Sequence, residues 1–381
     1  MRVALSGWFW DRADTGSGQY VRKLLAQLVA QERGADFVLV APPERLNVGA
    51  ALPHVRKVPL PAPPGAWGKV WWEQVTLPRA VARLGVDLLH VPYWAPPLLT
   101  PVPTVTTVHD LIPLLLPAYR GGAAVRLYTA LVRFTSRRAA LILTDSEASR
   151  ADILRHLPVS VEQVRAVPLA VEARYAPTAA FDDIRRRRDL GVPSGYVLYL
   201  GGFDVRKNLR GVFEAFARAR IEVEDALLVV AGRLPTQDTA FTPDPRRLLR
   251  EVGLSGECVL FIGFVAEQDK PALYRGARAF LYPSRYEGFG LPPLEALACG
   301  VPVVGSWAGS LPEVVGAGGV LAAPDDAAAL GRALTRLLGD DAFHAVLQRR
   351  ALQQAARFSW EATAAQTWQV YREATRGATA R

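Results

Sequence analysis

Two glutamates eight positions apart, Glu287 and Glu295, bracket the run Glu-Gly-Phe-Gly-Leu-Pro-Pro-Leu-Glu. An ionised carboxylate accepts two hydroxyl hydrogens at once, which suits the diol of a ribose or hexose. Gly288 and Gly290 free the backbone, and Pro292 and Pro293 fit a first helical turn. Glu287 then belongs on the loop, with Glu295 in the first or second turn beyond it. The competing reading makes Glu287 loop surface and Glu295 an ordinary charge near a helix start. A second run, Gly201-Gly-Phe-Asp-Val-Arg-Lys-Asn208, joins glycines to a planar guanidinium at Arg206 and a point charge at Lys207. That pairing suits a diphosphate. Asn208 is expected to cap the helix that follows. The alternative is a solvated basic turn.

Weaker signals accompany these. Gly16-Ser17-Gly18 leads into a helical pattern, where backbone N–H groups can approach a phosphate; a flexible loop capped by Ser17 explains it equally well. His109 follows Thr-Val-Thr-Thr-Val and should emerge where a buried strand ends. A satisfied structural histidine is its competing role. His54, His90, His156 and His344 are read as structural or surface.

The elements that must position these residues alternate along the chain. Apolar strand-like runs fall at 3–6, 37–40, 87–91, 104–108, 141–144 and 164–167, with helical patterns at 18–31, 71–84, 124–138 and 147–156. Residues 175–194 interrupt the rhythm with Pro177, Pro193 and a charged run, and read as a linker with one helical turn. Strands resume at 196–200, 226–230, 259–262, 279–282, 301–304 and 319–322, and helices close the chain at 326–338, 341–358 and 360–376. This is the α/β pattern of two doubly wound, Rossmann-like domains. The expected division is 1–175, a linker at 176–195, 196–357, and a final helix over 358–381. Ligands of such sheets bind beyond the carboxyl ends of the strands, and the unusual residues gather at those ends. Two sheets facing each other would place them around one cleft. Gly202, then Gly232 and Arg233 after the 226–230 strand, and Phe264 and Val265 after 259–262, complete the donor-side set.

At 381 residues the chain suits two domains, and half of it is hydrophobic. No apolar run reaches the roughly 20 residues of a membrane span. A strand starting at Arg2 leaves no room for a signal peptide, and two cysteines make a disulfide framework improbable, so a cytoplasmic protein is expected. The net charge of +9, carried by 40 Arg and 5 Lys, favours anionic substrates or surfaces. Without interleaved aromatics, nucleic acid is the weakest partner. Trp67, Trp71 and Trp72 with Lys69 suggest peripheral contact with an anionic membrane surface; ordinary packing is the alternative.

Taken together, these residues resemble the family 4 retaining glycosyltransferases of GT-B fold. The likeness lies in Glu287-x7-Glu295 and the Ala-Leu-Ala-Cys-Gly-Val-Pro-Val-Val run after it, in Gly202-Phe-Asp-Val-Arg-Lys-Asn208 and Val108-His-Asp-Leu-Ile-Pro113. Thr144-Asp-Ser-Glu-Ala-Ser149, Ser310-Leu-Pro-Glu-Val314 and Phe358-Ser-Trp-Glu361 extend it over nearly the whole chain. The resemblance implies that Glu287 contacts the donor hexose and Glu295 the ribose. Phe289, Gly290 and Leu291 would lie along sugar and diphosphate, Arg206 and Lys207 would hold the diphosphate, and Gly16 and Gly18 would approach it from the other domain. His109 would touch the transferred sugar, and the last helix would return to the N-terminal domain. Some members carry an arginine where this chain has Gly202, which leaves Arg206 to compensate.

The expected reaction is hexosyl transfer from a nucleotide-diphosphate sugar, GDP-mannose in preference to a UDP-hexose, to a glycan or lipid-linked acceptor. No Asp-x-Asp occurs, so neither metal nor other cofactor is expected. Tyr93, Trp94 and Asp110 are the candidate acceptor residues. An epimerase or glycoside phosphorylase of the same fold, or a non-catalytic nucleotide-sugar-binding protein, are the rivals.

Overall fold

The computed structural model describes residues 1–12, 15–47, 52, 54–65, 67–94 and 96–379. The chain divides into two compact units. The N-terminal unit joins Met1–Leu169 to Ser359–Arg381, and the C-terminal unit is Ala170–Phe358.

The N-terminal unit is built on a seven-stranded parallel sheet. Its strands are β1 (Arg2–Ser6), β2 (Asp36–Ala41), β3 (Val55–Pro59), β4 (Leu88–Val91), β5 (Thr104–Thr107), β6 (Leu141–Thr144) and β7 (Val164–Ala166), in the order β3-β2-β1-β4-β5-β6-β7. The C-terminal unit repeats the design with β8 (Tyr196–Leu200), β9 (Leu228–Ala231), β10 (Val259–Gly263), β11 (Ala277–Tyr282), β12 (Val303–Ser306) and β13 (Gly319–Ala322), in the order β10-β9-β8-β11-β12-β13. In both sheets the order reverses beside the first strand, so each has one switch point: β1/β4 and β8/β11. Central strands β4, β5, β6, β8 and β9 are buried at every residue, as expected for parallel strands covered on both faces.

The sequence patterns miss β3. Its Val-Arg-Lys-Val-Pro run has no fully buried position, because it is an edge strand with charges facing water. The helix expected over 71–84 is also broken. A short helix at Gly68–Trp71 passes through a π-helical turn at Trp72–Thr76 before Leu77–Leu84. Pro78 supplies no N–H to the ladder, and the Leu77 amide reaches back to the Trp72 carbonyl instead.

The segment expected as a linker instead belongs to the C-terminal unit. Residues Asp183–Asp189 form a two-turn helix. Buried Asp183 receives both Arg275 Nε (2.6 Å) and Nη2 (2.7 Å), and Arg186 pairs with Asp269. Tyr175 and Val192 are buried as well. The polar composition that suggested a linker is spent on this internal pairing. The boundary falls at residue 169 rather than 175.

The Trp360–Thr379 helix packs on the N-terminal unit. Thr363 donates to the Pro168 carbonyl (2.7 Å), Trp368 lies against Phe37, and buried Tyr371 meets His90 Nδ1 at 2.6 Å.

Removing one member of a buried ion pair strands the other. Asp183→Ala should therefore cost about 3–5 kcal/mol, read as an earlier urea transition of the C-terminal unit. An unchanged transition would restore the linker reading.

Candidate functional site

A cluster of charge around a buried carboxylate sits at the β8/β11 switch point. The chain leaving β8 makes a single 3-10 turn at Val205–Lys207, and the chain leaving β11 runs from Pro283 to the helix at Leu291–Ala298. The two loops are stitched together. The Arg285 amide donates to the Arg206 carbonyl at 2.7 Å, and the Ser284 hydroxyl oxygen lies 3.1 Å from the same atom. Asn208 Nδ2 donates to the carbonyls of Pro283 (3.0 Å) and Pro324 (2.7 Å). Asn208 stands at the N-cap position but makes no side-chain cap. Its backbone is left-handed (φ 53°), a conformation that asparagine tolerates, and its amide is committed to fastening the loops.

Inside this frame Glu287 is buried and receives three donors. Lys207 Nζ lies 2.7 Å from Oε1, Arg206 Nη1 2.7 Å from Oε2, and the Ser284 hydroxyl 2.6 Å from Oε1. Burial alone would raise the carboxyl pKa, but Lys207 and Arg206 outweigh it and hold it at about 2. Burial pulls the Lys207 ammonium below its ordinary range, against the upward pull of Glu287. Lys207 also donates to Tyr282 at the end of β11 and lies 5.0 Å from that ring. The Glu287 backbone is clamped in turn. The Ser310 amide donates to the Glu287 carbonyl at 3.1 Å while its hydroxyl donates to the Phe289 carbonyl (2.5 Å), and a Cβ on Gly309 would fall 2.4 Å from the Glu287 oxygen.

Glu295, in the second turn of its helix, is held in a different set of contacts. Tyr274 donates to it at 2.9 Å; burial raises its carboxyl against the pull of Lys270 and the hydroxyls of Tyr274 and Tyr175. Gly290 caps that helix in the left-handed region (φ 102°), and Leu291 is its first residue. Phe289 is buried against Phe358, with Gly288 between it and Glu287. Gly202 offers its carbonyl to Tyr199, Gly232 follows β9 and donates to Gly263 (2.8 Å), and Arg233 lies over the exposed ring of Phe264, with Val265 buried beside it in sequence.

In the N-terminal unit His109 follows β5. Its Nδ1 meets Asp145 Oδ2 at 2.8 Å, its carbonyl accepts from Ser149 (3.1 Å), and Tyr20 packs edge-on at 4.9 Å. Nε2 is buried and makes no hydrogen bond of normal geometry among the described residues. Burial opposes a charge on this ring, but Asp145, helped by Asp110 and the Pro92 carbonyl, outweighs it and lifts the pKa above the ordinary 6.5. Asp110 Oδ1 accepts from the Ile112 amide (3.0 Å). Tyr93 is half-buried against Phe9 (4.5 Å) and Trp94 (6.4 Å), and Trp94 is buried with a positive φ of 50°.

Two expectations change here. Gly16 starts the first helix in open space, but Gly18 is a packing glycine: a Cβ there would lie 1.8 Å from the Arg12 carbonyl, and its amide already donates to the Thr15 cap. Ser17 is not the cap. Nor are Trp72 and Lys69 available to a membrane. Trp72 is fully buried, and Lys69 is enclosed by Phe9, Tyr93 and Tyr128 with Glu73 Oε1 at 3.4 Å.

Sequence reasoning missed Ser284, Tyr282, Gly309, Ser310, Tyr20 and Asp145. Ser310 and Asp145 stood inside motifs already noted, whereas Tyr20 and Tyr282 looked like ordinary apolar periodicity. No group of three His, Cys, Asp or Glu side chains fit to hold a metal ion occurs among the described residues, and both cysteines are free and buried.

The C-terminal unit thus holds a buried, ionised carboxylate against two cations at its switch point, and the N-terminal unit a carboxylate-paired histidine after a central strand. The comparisons name the class. Residues 15–175 match the model of Glycosyltransferase Family 4, and residues 181–357 that of Glycosyl transferases group 1. The chain is 33% identical to the O-antigen chain mannosyltransferase B of Escherichia coli over 379 residues, covering 94% of this chain and 96% of that one. It is 35% identical to the MMP alpha-(1->4)-mannosyltransferase of Mycolicibacterium hassiacum, covering 63% of this chain and 55% of that protein. Among solved structures, sucrose-phosphate synthase from Thermosynechococcus elongatus superimposes with a TM-score of 0.74 at 26% identity, covering 98% of each chain. The chain belongs to the family 4 glycosyltransferases, with the two Rossmann-like units of the GT-B fold.

Two outcomes follow from the charges. Because the Glu287 pKa is depressed, its stabilisation is complete above the ordinary carboxylate value of 4.5 and is lost as pH falls through about 2. Glu287→Gln should cost about 3 kcal/mol at neutral pH and flatten the acid-unfolding profile below pH 4.5, measured by circular dichroism. For His109 the sign reverses: the Asp145 contact favours the protonated ring, and its stabilisation fades as pH rises through the raised pKa. In histidine-selective NMR, Asp145→Asn should lower the His109 midpoint to 6.5 or below; an unmoved midpoint would remove Asp145 as its cause.

Proposed function

We propose that this glycosyltransferase is a retaining, metal-independent hexosyltransferase, moving a hexose from a nucleotide-diphosphate sugar to a hydroxyl of a glycan or lipid-linked acceptor. GDP-mannose is the preferred donor over a UDP-hexose, since mannosyltransferases stand among the relatives that match most of the chain. The observation that carries the reading is the convergence of Arg206 and Lys207 on Glu287 at the β8/β11 switch point.

The bond from the anomeric carbon to the β-phosphate oxygen breaks as negative charge gathers on the leaving diphosphate. Arg206 and Lys207, fixed before the donor arrives, stabilise that charge without reorganising. The bond to the acceptor oxygen forms on the same face, and the acceptor proton passes to the departing phosphate. Glu287 positions the sugar and is not the nucleophile. Both its oxygens are occupied by cationic donors and its pKa of about 2 marks a weak nucleophile, which supports this role over a covalent glycosyl-enzyme. Glu295 takes the ribose diol, and His109 donates to a hydroxyl of the transferred sugar.

Thermal-shift measurements test the donor site, because a ligand of the folded state raises the melting temperature by mass action. GDP-mannose should raise it more than a UDP-hexose. Lys207→Ala should lower kcat by roughly a hundredfold or more with the fold intact, and Glu295→Ala should chiefly raise the donor KM. A shift with no nucleotide or nucleotide sugar, or unchanged kinetics in both variants, would defeat the assignment. An adduct trapped on Glu287 would overturn its positioning role.

A further inference from the structure

Glu295 is met by two tyrosines from distant parts of the C-terminal unit. Tyr274 lies in the short helix Lys270–Gly276 ahead of β11 and donates to Glu295 Oε2 at 2.9 Å. Tyr175 comes from the stretch through which the chain enters the unit. Its hydroxyl reaches Glu295 and also stands 3.5 Å from Glu267 Oε2. A phenol has one proton to give. Glu267 already pairs with Lys270 and has Arg174 at 3.7 Å, so the Tyr175 proton serves Glu295. Both tyrosines are buried, and their rings meet edge-on at 6.0 Å.

The backbone holds both rings in place. Arg275, next to Tyr274, spans Tyr175: its Nη1 donates to the carbonyls of Arg174 (3.4 Å) and Ala176 (3.1 Å). The same guanidinium is locked on Asp183 through Nε and Nη2. Tyr274 also packs edge-on against Phe280 of β11 at 5.5 Å. One ion pair thus fixes the chain on either side of Tyr175 and just beyond Tyr274. Core filling alone does not call for the two hydroxyls. A phenylalanine in either place would supply the same ring without setting a polar atom against a buried carboxylate.

We infer that Tyr175 and Tyr274 are positioning residues for nucleotide binding, aiming the Glu295 carboxylate so that its other acceptor sites meet the 2′- and 3′-hydroxyls of the donor ribose. This rests on the proposed reading of Glu295 as the ribose grip. An ionised carboxylate has about four acceptor sites, and the two phenols use two of them. The other two match the two hydroxyls of a cis-diol. A carboxylate that rotates, or that takes up a proton, loses that match. Burial pushes Glu295 toward its protonated form, and Lys270 and the two phenols oppose it. The tyrosines touch the glutamate and not the sugar, so their effect falls on donor binding and on discrimination at the ribose.

Titration calorimetry of the full chain with GDP, UDP and their 2′-deoxy counterparts tests this. The wild type should bind the better of the two nucleotides about tenfold or more tighter than its 2′-deoxy form, because a hydrogen bond to a carboxylate is at stake. Glu295→Ala should abolish that preference. Tyr274→Phe and Tyr175→Phe should each narrow it by about fivefold. Both should raise the donor KM while kcat at saturating donor stays within about twofold of wild type. A merely structural loss would weaken ribo and deoxy forms alike and leave their ratio intact. Should Tyr274→Phe fail to fold, Tyr175→Phe decides. An unchanged ratio in the folded phenylalanine variants, with Glu295→Ala still abolishing it, would overturn this inference and leave the ribose grip standing. No preference in the wild type, or binding of neither nucleotide, would overturn the grip and the positioning with it.

Discussion

The buried Glu287 carboxylate and the two half-buried cations within hydrogen-bond reach of it, Arg206 and Lys207, are the constraint around which the C-terminal unit is arranged. Each would be costly alone in such a place, and they persist because each supplies the others' missing solvation. The surroundings serve that end. Ser284 donates to the carboxylate, Gly309 and Ser310 close on its backbone, and Asn208 ties the cation-bearing loop to the loop behind it. The doubly wound strand order explains where this happens. At β8/β11 the connections leave in opposite directions, so two loops from distant parts of the sequence meet over a gap that neither helix layer fills.

The N-terminal unit solves a related problem with one ring instead of three charges. His109 gains its charge preference from Asp145, and its orientation from Tyr20 and the carbonyl contact to Ser149. Tyr20 in turn bonds Thr107, Thr107 bonds His90, and His90 bonds Tyr371 on the terminal helix. A line of buried polar groups thus runs from the last helix of the chain to the edge of the histidine. Burial drives the His90 pKa down to about 3, so that ring stays neutral within the line. The last helix consequently does more than cover apolar surface: it ends a hydrogen-bond chain that would otherwise leave His90 unsatisfied in the core.

Much of this was legible in the sequence because it is periodic or punctuated. Buried parallel strands such as 141–144 and 196–200 read correctly as short apolar runs, and Gly/Pro punctuation located the loop from Glu287 to Glu295. Two of the failures depend on partners distant in sequence. The 175–194 segment looked like a linker until Asp183 met Arg275, 92 residues away. Asn208 had the residue type of a cap, yet the distant carbonyls of Pro283 and Pro324 outcompeted the local amides. Gly18 had the spacing of a phosphate loop, and the reason for the glycine is a carbonyl only six residues back. Edge strand β3 was hidden for the opposite reason: it has too few buried partners to impose alternation.

The charge arithmetic of the cluster bears on how a donor would be received. With Asp204 3.7 Å from Arg206, two cations face two carboxylates, so the centre is balanced before any ligand arrives. A diphosphate cannot be drawn there by a surplus of positive charge; it must be held by unused donors. Lys207 has three ammonium protons, and Tyr282 and Glu287 account for two. Its ammonium is backed by a fixed carboxylate, and such a donor gains most when charge on its acceptor grows. On the proposed reading Glu287 therefore contributes twice, by gripping the sugar and by keeping Lys207 charged against burial. On that same proposed reading, a site balanced in its resting state would reserve its strongest contact for the leaving phosphate, the distribution that speeds a reaction rather than tightening a complex.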